Sequence, residues 1–244
     1  LGLTGGAENI DGDANPAAMI YDILISPSSE NGLGLPVGFL DVDAFRSVGQ
    51  TLADEGLGLS MLQDRGTTAK DLVLEILRHI DGVIYVEPTT GLLTIRLIRS
   101  DYDPETIPVL DADSCTVKSF ARPSWGDLKN SVRIGYVSRD AGFIEKTAQA
   151  QDLAGIEVQG GEVSLQDLTL RWLTNATTAQ QAAARSLAAR AYPLATVTIE
   201  ADRSAWAFRP GAVFKLIWDP LGISGMVCRV VRVGTGRLDS GKIE

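Results

Sequence analysis

The hydrophobic period of this chain changes at Gly82, and that change restricts it to a mixed architecture. Before Gly82 the apolar residues recur at helical spacing, and after it they alternate with a period of two. A helix-period pattern does not settle as strand, nor the reverse, so helices and sheet must occupy separate stretches.

Three helices are predicted in the first part. Asn15 suits an N-cap and Pro16 the first helical position, and Met19, Ile20, Ile23 and Leu24 follow at helical spacing until Pro27. A loop from Ser28 to Gly38 comes next, rich in Gly, Ser and Pro. Asp41 caps the second helix, which carries Phe45, Val48 and Leu52 and stops at Gly56. Leu57 to Leu62 reads as a short strand. Thr68 with Asp71 forms a capping box in which Asp replaces the usual Glu. Leu72, Val73, Ile76, Leu77 and Ile80 then mark the third helix, which stops at Gly82.

Val83 to Glu87 and Leu92 to Ile98 flank Pro88-Thr89-Thr90-Gly91 and predict a β-hairpin. Residues 7–103 therefore read as one α+β module of helices against a small sheet. A polar connection, Asp101 to Pro108, leads to residues 109–244, which read as a mainly antiparallel β-barrel or sandwich module with one helix. Val132, Ile134, Tyr136 and Ser138 share one face of a strand over Asn130–Arg139, and the Asp140-Ala141-Gly142 turn leads to a partner over Phe143–Ala150. An Ala-rich helix at about 178–192 is capped by Thr177 or Thr178 and ends at Tyr192-Pro193. Strands follow at Ala195–Ala201, Ala212–Trp218 and Gly225–Val233. The predicted fold class is α+β.

The net charge is −9 and the isoelectric point near 4.7. A general nucleic-acid binder would carry a basic patch instead. Acidity does suit a wall past which DNA must slide without sticking, because such a wall should repel phosphates or stay neutral. No run of about 18 apolar residues predicts a transmembrane helix. The start, Leu1-Gly2-Leu3-Thr4-Gly5-Gly6, lacks an initiator Met and the n- and h-regions of a signal peptide. With Gly241-Lys242-Ile243-Glu244 reading as the opening of a further strand, it predicts a piece of a longer chain.

Candidate chemistry is sparse. Cys115 and Cys228 allow one disulfide but read as small buried hydrophobes. His79, the one histidine, sits near the end of the third helix, where its charge can meet the helix dipole; no further ligands stand at zinc-like spacing. A Cys–His nucleophilic pair has no local support. Asp11, Asp13, Asn15 and Asp22 are spaced like parts of a calcium loop, but Pro16 stands where that loop needs Gly, so the group reads as a capping cluster. Gly2-Leu3-Thr4-Gly5-Gly6 and Gly32-Leu33-Gly34 match no phosphate-binding fingerprint. The 31 carboxylates include no pair that sequence alone brings together. No cofactor, metal or catalytic residue is expected. Arg and Trp are favoured at interface hot spots, and Arg122, Trp125, Trp206 and Arg209 are candidates for contacts between protomers. The competing role for each Trp is to anchor its turn on the core.

Several blocks carry a family resemblance: Asn15 to Leu24 (NPAAMIYDIL) with Gly32 to Pro36, Glu75 to Leu97, Phe120 to Trp125 (FARPSW), Asn130 to Tyr136, and Glu145 to Leu153 (EKTAQAQDL). Together they resemble phage tail proteins related to the tip attachment protein of lambda-like phages and to the large hub protein of gene transfer agents. The resemblance implies a virion component at the distal end of a tail: a hub, usually a homotrimer, that closes the tail tube and gates DNA passage. It implies contacts with the distal tail protein, the tape measure protein and other tail tip proteins, and only transient contact with DNA. It transfers no catalytic residue. Relatives often carry receptor-binding regions downstream that this segment lacks. Two other readings stay open. A wall-degrading enzyme would need a cleft with paired carboxylates, and a receptor- or glycan-binding module would need exposed aromatic platforms from the 6% of residues that are Phe, Trp or Tyr.

Overall fold

A computed structural model describes residues 8–28, 32–61, 66–234 and 241–244. The Gly-rich start up to Gly6, part of the loop after Ser28 and the predicted strand residue Leu62 lie outside the described residues. The chain forms two compact units: residues 1–97 with 123–194, and residues 98–122 with 195–244. This division differs from the linear one into 7–103 and 109–244. Strands near residues 115–121 and 196–201 pair with each other, while the segment between them packs with the first ninety-seven residues. Spatial partners therefore cut across the chain order.

In the first unit, Asn9–Ile10 (β1) and Asp13–Ala14 (β2) form a small hairpin. Its turn, Asp11-Gly12, has both residues at positive φ (51° and 86°), the conformation favoured for two-residue hairpins. The predicted helices follow: Pro16–Ile25 (α1), Val42–Asp54 (α2) and Ala69–Ile80 (α3). Their caps are Asn15, Asp41 and Thr68, each accepting a backbone N–H of the first turn. Asn15 is fully buried, and its Nδ2 also donates to the Gly49 carbonyl at 2.8 Å, tying the start of α1 to the middle of α2. The third helix stops one residue before the predicted Gly82. Asp81 takes the left-handed conformation (φ 52°), which Asp tolerates, and Gly82 opens the next strand.

Gly82–Val86 (β3) and Leu93–Leu97 (β4) pair antiparallel as predicted. Over its described part, Leu57 to Met61, the predicted strand is reduced to one antiparallel bridge from Leu59 to Ala14. The unit's second sheet has Ser131–Ser138 (β7) at its centre, flanked by Ile144–Gln151 (β8) and Leu165–Thr169 (β9). The β7–β8 pair is antiparallel as predicted, whereas β9 runs parallel to β7. A short helix, Leu153–Val158 (α4), lies in the crossover from β8 to β9. The Ala-rich helix is Ala176–Ala188 (α5), shorter than the predicted 178–192 at its far end. Its cap is Asn175, not Thr177 or Thr178. The Asn175 Oδ1 accepts the Thr177 N–H at 2.7 Å, and Thr178 instead donates to the Asn175 carbonyl. One core joins the helices to both sheets through Ile20, Phe45, Leu52, Ile76, Ile134 and Leu173. Tyr21 meets Phe45 edge-on at 5.8 Å.

In the second unit, Cys115–Ala121 (β6) pairs with Thr196–Ala201 (β10), while Ile223–Arg229 (β12) and Val213–Trp218 (β11) pair antiparallel. The short strand Val109–Leu110 (β5) joins β11 in parallel. Both sheets contribute to a core around Leu216, Phe214, Cys115, Ala201 and Ile243. Ile243 bridges Ala201, the β-like placement expected of the last residues. Among the described residues no sheet closes into a barrel. The class is α+β.

Candidate functional site

The chemistry-bearing residues of the first unit gather at the two ends of the β8-β7-β9 sheet. At one end β7 finishes at Ser138, and Arg139 follows. Its guanidinium donates to the carbonyls of Asp11 (2.9 Å) and Gly12 (3.3 Å) and pairs with the Asp13 carboxylate. Asp13 is buried, and its other oxygen accepts the Thr174 hydroxyl at 2.6 Å. The spacing read as calcium-like or as a capping cluster thus divides: Asn15 caps α1, and Asp13 spends its charge on Arg139. A buried carboxylate with this partner set is a fastening.

His79 lies at the same end. It is buried and stacked on Trp172, with ring centroids 5.0 Å apart. Its Nδ1 meets the Glu75 carbonyl at 2.8 Å, which requires a proton on Nδ1. Nε2 is then the bare acceptor, and it has no hydrogen-bond partner among the described residues. Burial is the main cause that pushes the imidazole pKa below its ordinary value, against the pull of Glu75. This histidine is a neutral core residue.

At the opposite end β7 begins, β8 finishes and β9 begins. Asn130, just before β7, is buried and holds this end together. Its Nδ2 donates to the Glu162 carbonyl (2.8 Å) and to Gln159 Oε1 (2.5 Å), and its Oδ1 accepts the Ser164 N–H at 2.8 Å. Gln159 in turn donates to the Trp125 carbonyl at 2.8 Å. Trp125 starts a 3₁₀ turn, Trp125–Asp127, closed by a Ser124/Asp127 capping box, and its side chain is exposed. The hydroxyl and N–H of Ser124 hold the Asp127 carboxyl below the usual range.

The other predicted interface residues lie in the second unit. Trp206 is half-exposed in a 3₁₀ turn, Arg203–Ala207, capped by Asp202. Arg209 donates to the carbonyls of Trp206 and Phe208 (2.7 Å to the latter), so these two predicted residues come together. Arg122 lies over the Phe120 ring at 5.7 Å. It lines an open groove of about 590 Å³ between the end of β6 and the Leu221–Met226 segment. Arg122 and Trp125, three residues apart in sequence, fall in different units. Cys115 and Cys228 are free thiols in the same core, and burial raises the Cys228 pKa to about 11. Among the described residues no group of three or more His, Cys, Asp or Glu is placed to hold a metal ion, and no helix is long and apolar enough to cross a membrane.

The sequence reading missed Arg139, Thr174 and Asn130. The usable signal was the Asp11-Gly12 dipeptide, which marks a hairpin whose tip needs a donor. Asn130 carried only the weak hint of a turn residue before an alternating strand.

Charge is divided unevenly along the chain. Residues 1–97 hold 14 acidic and 5 basic side chains, and residues 98–244 hold 17 of each, so the whole excess of −9 belongs to the first stretch.

Residues 68–233, more than half of the chain, match a family described as "Putative phage tail protein". No match is found among curated protein sequences. Among solved structures the fold resembles a chain of the virion of a native gene transfer agent particle, with TM-score 0.55 and 18% identity over 74% of this chain and 38% of that one. A tail protein from Neisseria meningitidis MC58 aligns with TM-score 0.48 and 17% identity, over 72% of this chain and 52% of that one. The 43 kDa tail protein of prophage MuSo2 from Shewanella oneidensis aligns with TM-score 0.42 and 16% identity, over 75% and 53%. The chain thus spans well under two thirds of the length of these proteins.

Proposed function

This chain belongs to the phage tail protein family, and on that premise we propose that it is a structural component of the tail tip or baseplate hub, closing the tail tube and gating DNA passage. The observation that carries this reading is the likeness of its α+β fold to a chain of the gene transfer agent virion, joined to the family match. The reading includes a homotrimer at the distal end of the tail, in contact with the distal tail protein, the tape measure protein and other tip proteins. Arg122, Trp125, Trp206 and Arg209 are proposed to serve contacts between protomers.

The charge division supports a wall past which DNA slides. Three copies of −9 give −27, carried entirely by residues 1–97 of each copy. Those residues, placed toward a lumen, would repel phosphate. The neutral remainder would face other proteins without a repulsive field. A structural role, not an enzymatic one, agrees with the chemistry of His79, whose ring is locked between Trp172 and a backbone carbonyl.

The test is assembly without this chain. The expected result is particles whose tails do not close and do not retain DNA for delivery. Particles with normal, DNA-filled and ejection-competent tails would contradict the hub reading. Incubation of the protein with purified peptidoglycan is expected to release no soluble fragments; release would favour a wall-degrading role.

A further inference from the structure

We propose that the gap between β10 and the segment that leaves β12 is a socket for one more β-strand, and that its occupant is the stretch of polypeptide following Glu244. The inference stands on the second unit alone and does not depend on the hub reading.

Lys242, Ile243 and Glu244 already fill one end of the gap. Ile243 and Ala201 exchange both backbone bonds, at 2.8 and 2.9 Å, as an antiparallel bridge. On the other side Glu244 donates to the Gly234 carbonyl at 2.8 Å and accepts the Gly234 N–H, the mutual exchange of an antiparallel pair. Three residues therefore hold β10 and the segment after β12 one strand apart. Ile243 is buried in the unit's core, and Lys242 pairs with Glu200. Since Ile243 runs antiparallel to β10, the backbone at Glu244 heads along β10 toward Thr196.

The gap ahead of Glu244 is lined by unpaired peptide groups. Successive residues of a strand turn their N–H and C=O groups to opposite sides. Ala201 turns its groups to Ile243, and Asp202 donates the other way, to Ser114 beside β6. Ile199 and Val197 therefore face the gap, while Thr198 and Glu200 face β6. The irregularity of the β6–β10 pair leaves this alternation intact, because its extra residue, Lys118, stands on β6. Among the described residues no backbone bond reaches Val197 or Ile199 from the gap, nor Val231, Arg232 or Val233 on the opposite wall. Two such rows, one strand apart, are completed by an extended backbone. A continuation of the chain enters already in register and direction, with no loop to close.

The side chains specify its pattern. Residues opposite each other across an antiparallel pair share a face. Ile243 shares the core face with Ala201, and the next two positions on that face stand opposite Ile199 and Val197, which pack on the core and are only half-buried. Phe120, the ladder partner of Val197, and Met226 of β12 belong to the edge of the same core and line the open groove of about 590 Å³. The core is thus uncovered at the end toward which the strand runs. The residues two and four places after Ile243 are expected to be apolar.

The test is amide exchange, resolved by residue, in the 244-residue chain and in the protein purified at its natural length before assembly. In the 244-residue chain, Val197 and Ile199 are expected to exchange at least tenfold faster than Thr198 and Glu200, which are paired with β6. In the natural-length protein all four are expected to be equally slow. Slow exchange of Val197 and Ile199 already in the 244-residue chain would overturn the proposal, as would fast exchange in both forms. Protection that appears only after assembly would assign the strand to a neighbouring protein and overturn it too. So would an intact mass showing that the natural protein stops at Glu244, or polar residues at both expected apolar positions. None of these outcomes bears on the hub reading, which is judged on the assembled particle.

Discussion

The two ends of the β8-β7-β9 sheet solve opposite problems with the same kind of bond. At the Arg139 end, polar groups fasten the N-terminal hairpin onto the sheet, where Leu173 is fully buried and Trp172 half-buried. At the Asn130 end, polar groups pin a short apolar helix of which no residue is fully buried. Buried hydrogen bonds stabilise the first end by closing it. They stabilise the second by holding α4 in one place without burying any of its residues.

The largest effect expected from breaking this contrast comes from Arg139→Ala. It leaves Asp13 buried without its cation and should cost about 3 kcal/mol of unfolding free energy in urea titration. A loss below about 1 kcal/mol would mean the clamp is ornamental. Next is Asn130→Ala, which strands the Glu162 carbonyl and the Ser164 N–H and should cost about 2 kcal/mol. Its signature in amide exchange is faster exchange over residues 152–164 with the Arg139 end unchanged. Uniform loss of protection along the sheet would erase the distinction between the ends.

A smaller, pH-dependent effect belongs to His79. Its folded pKa lies below the free value of 6.5, so below that pH the unfolded chain takes up a proton that the folded chain refuses. Stability contributed by the neutral ring is therefore present above pH 6.5 and declines as the pH falls toward the folded pKa. Glu75 and Arg78 face the ring in opposition, and Trp172 covers it without charge. The difference in stability between wild type and His79→Gln should shrink as the pH is lowered from 7 to 5; a difference that stays constant would contradict the burial account. Smallest of all, Trp125→Ala should change monomer stability by less than about 1 kcal/mol, because 56% of that residue is exposed.

What the sequence made legible is what its local chemistry dictates. Asn15, Asp41 and Thr68 cap helices because a cap needs only its own first turn. The hairpins β3–β4 and β7–β8 were readable because a short turn sets their register. The parallel β9 was not, since its pairing with β7 spans more than thirty residues and carries no turn signal. The Asp13–Arg139 pair is separated by 126 positions, and nothing in either neighbourhood names the other. Of the four interface candidates, composition singled out residue types that suit contacts. Helix α4 escaped notice because an apolar run of six residues is too short for its period to mark it as helix.

The measurement that tests the central claim most directly is an image of the assembled particle with this chain located by a bound label. The structural hub reading predicts label on the tail axis at its distal end, in copies related by closed symmetry. Label at the periphery of the tail, or away from it, would contradict that reading.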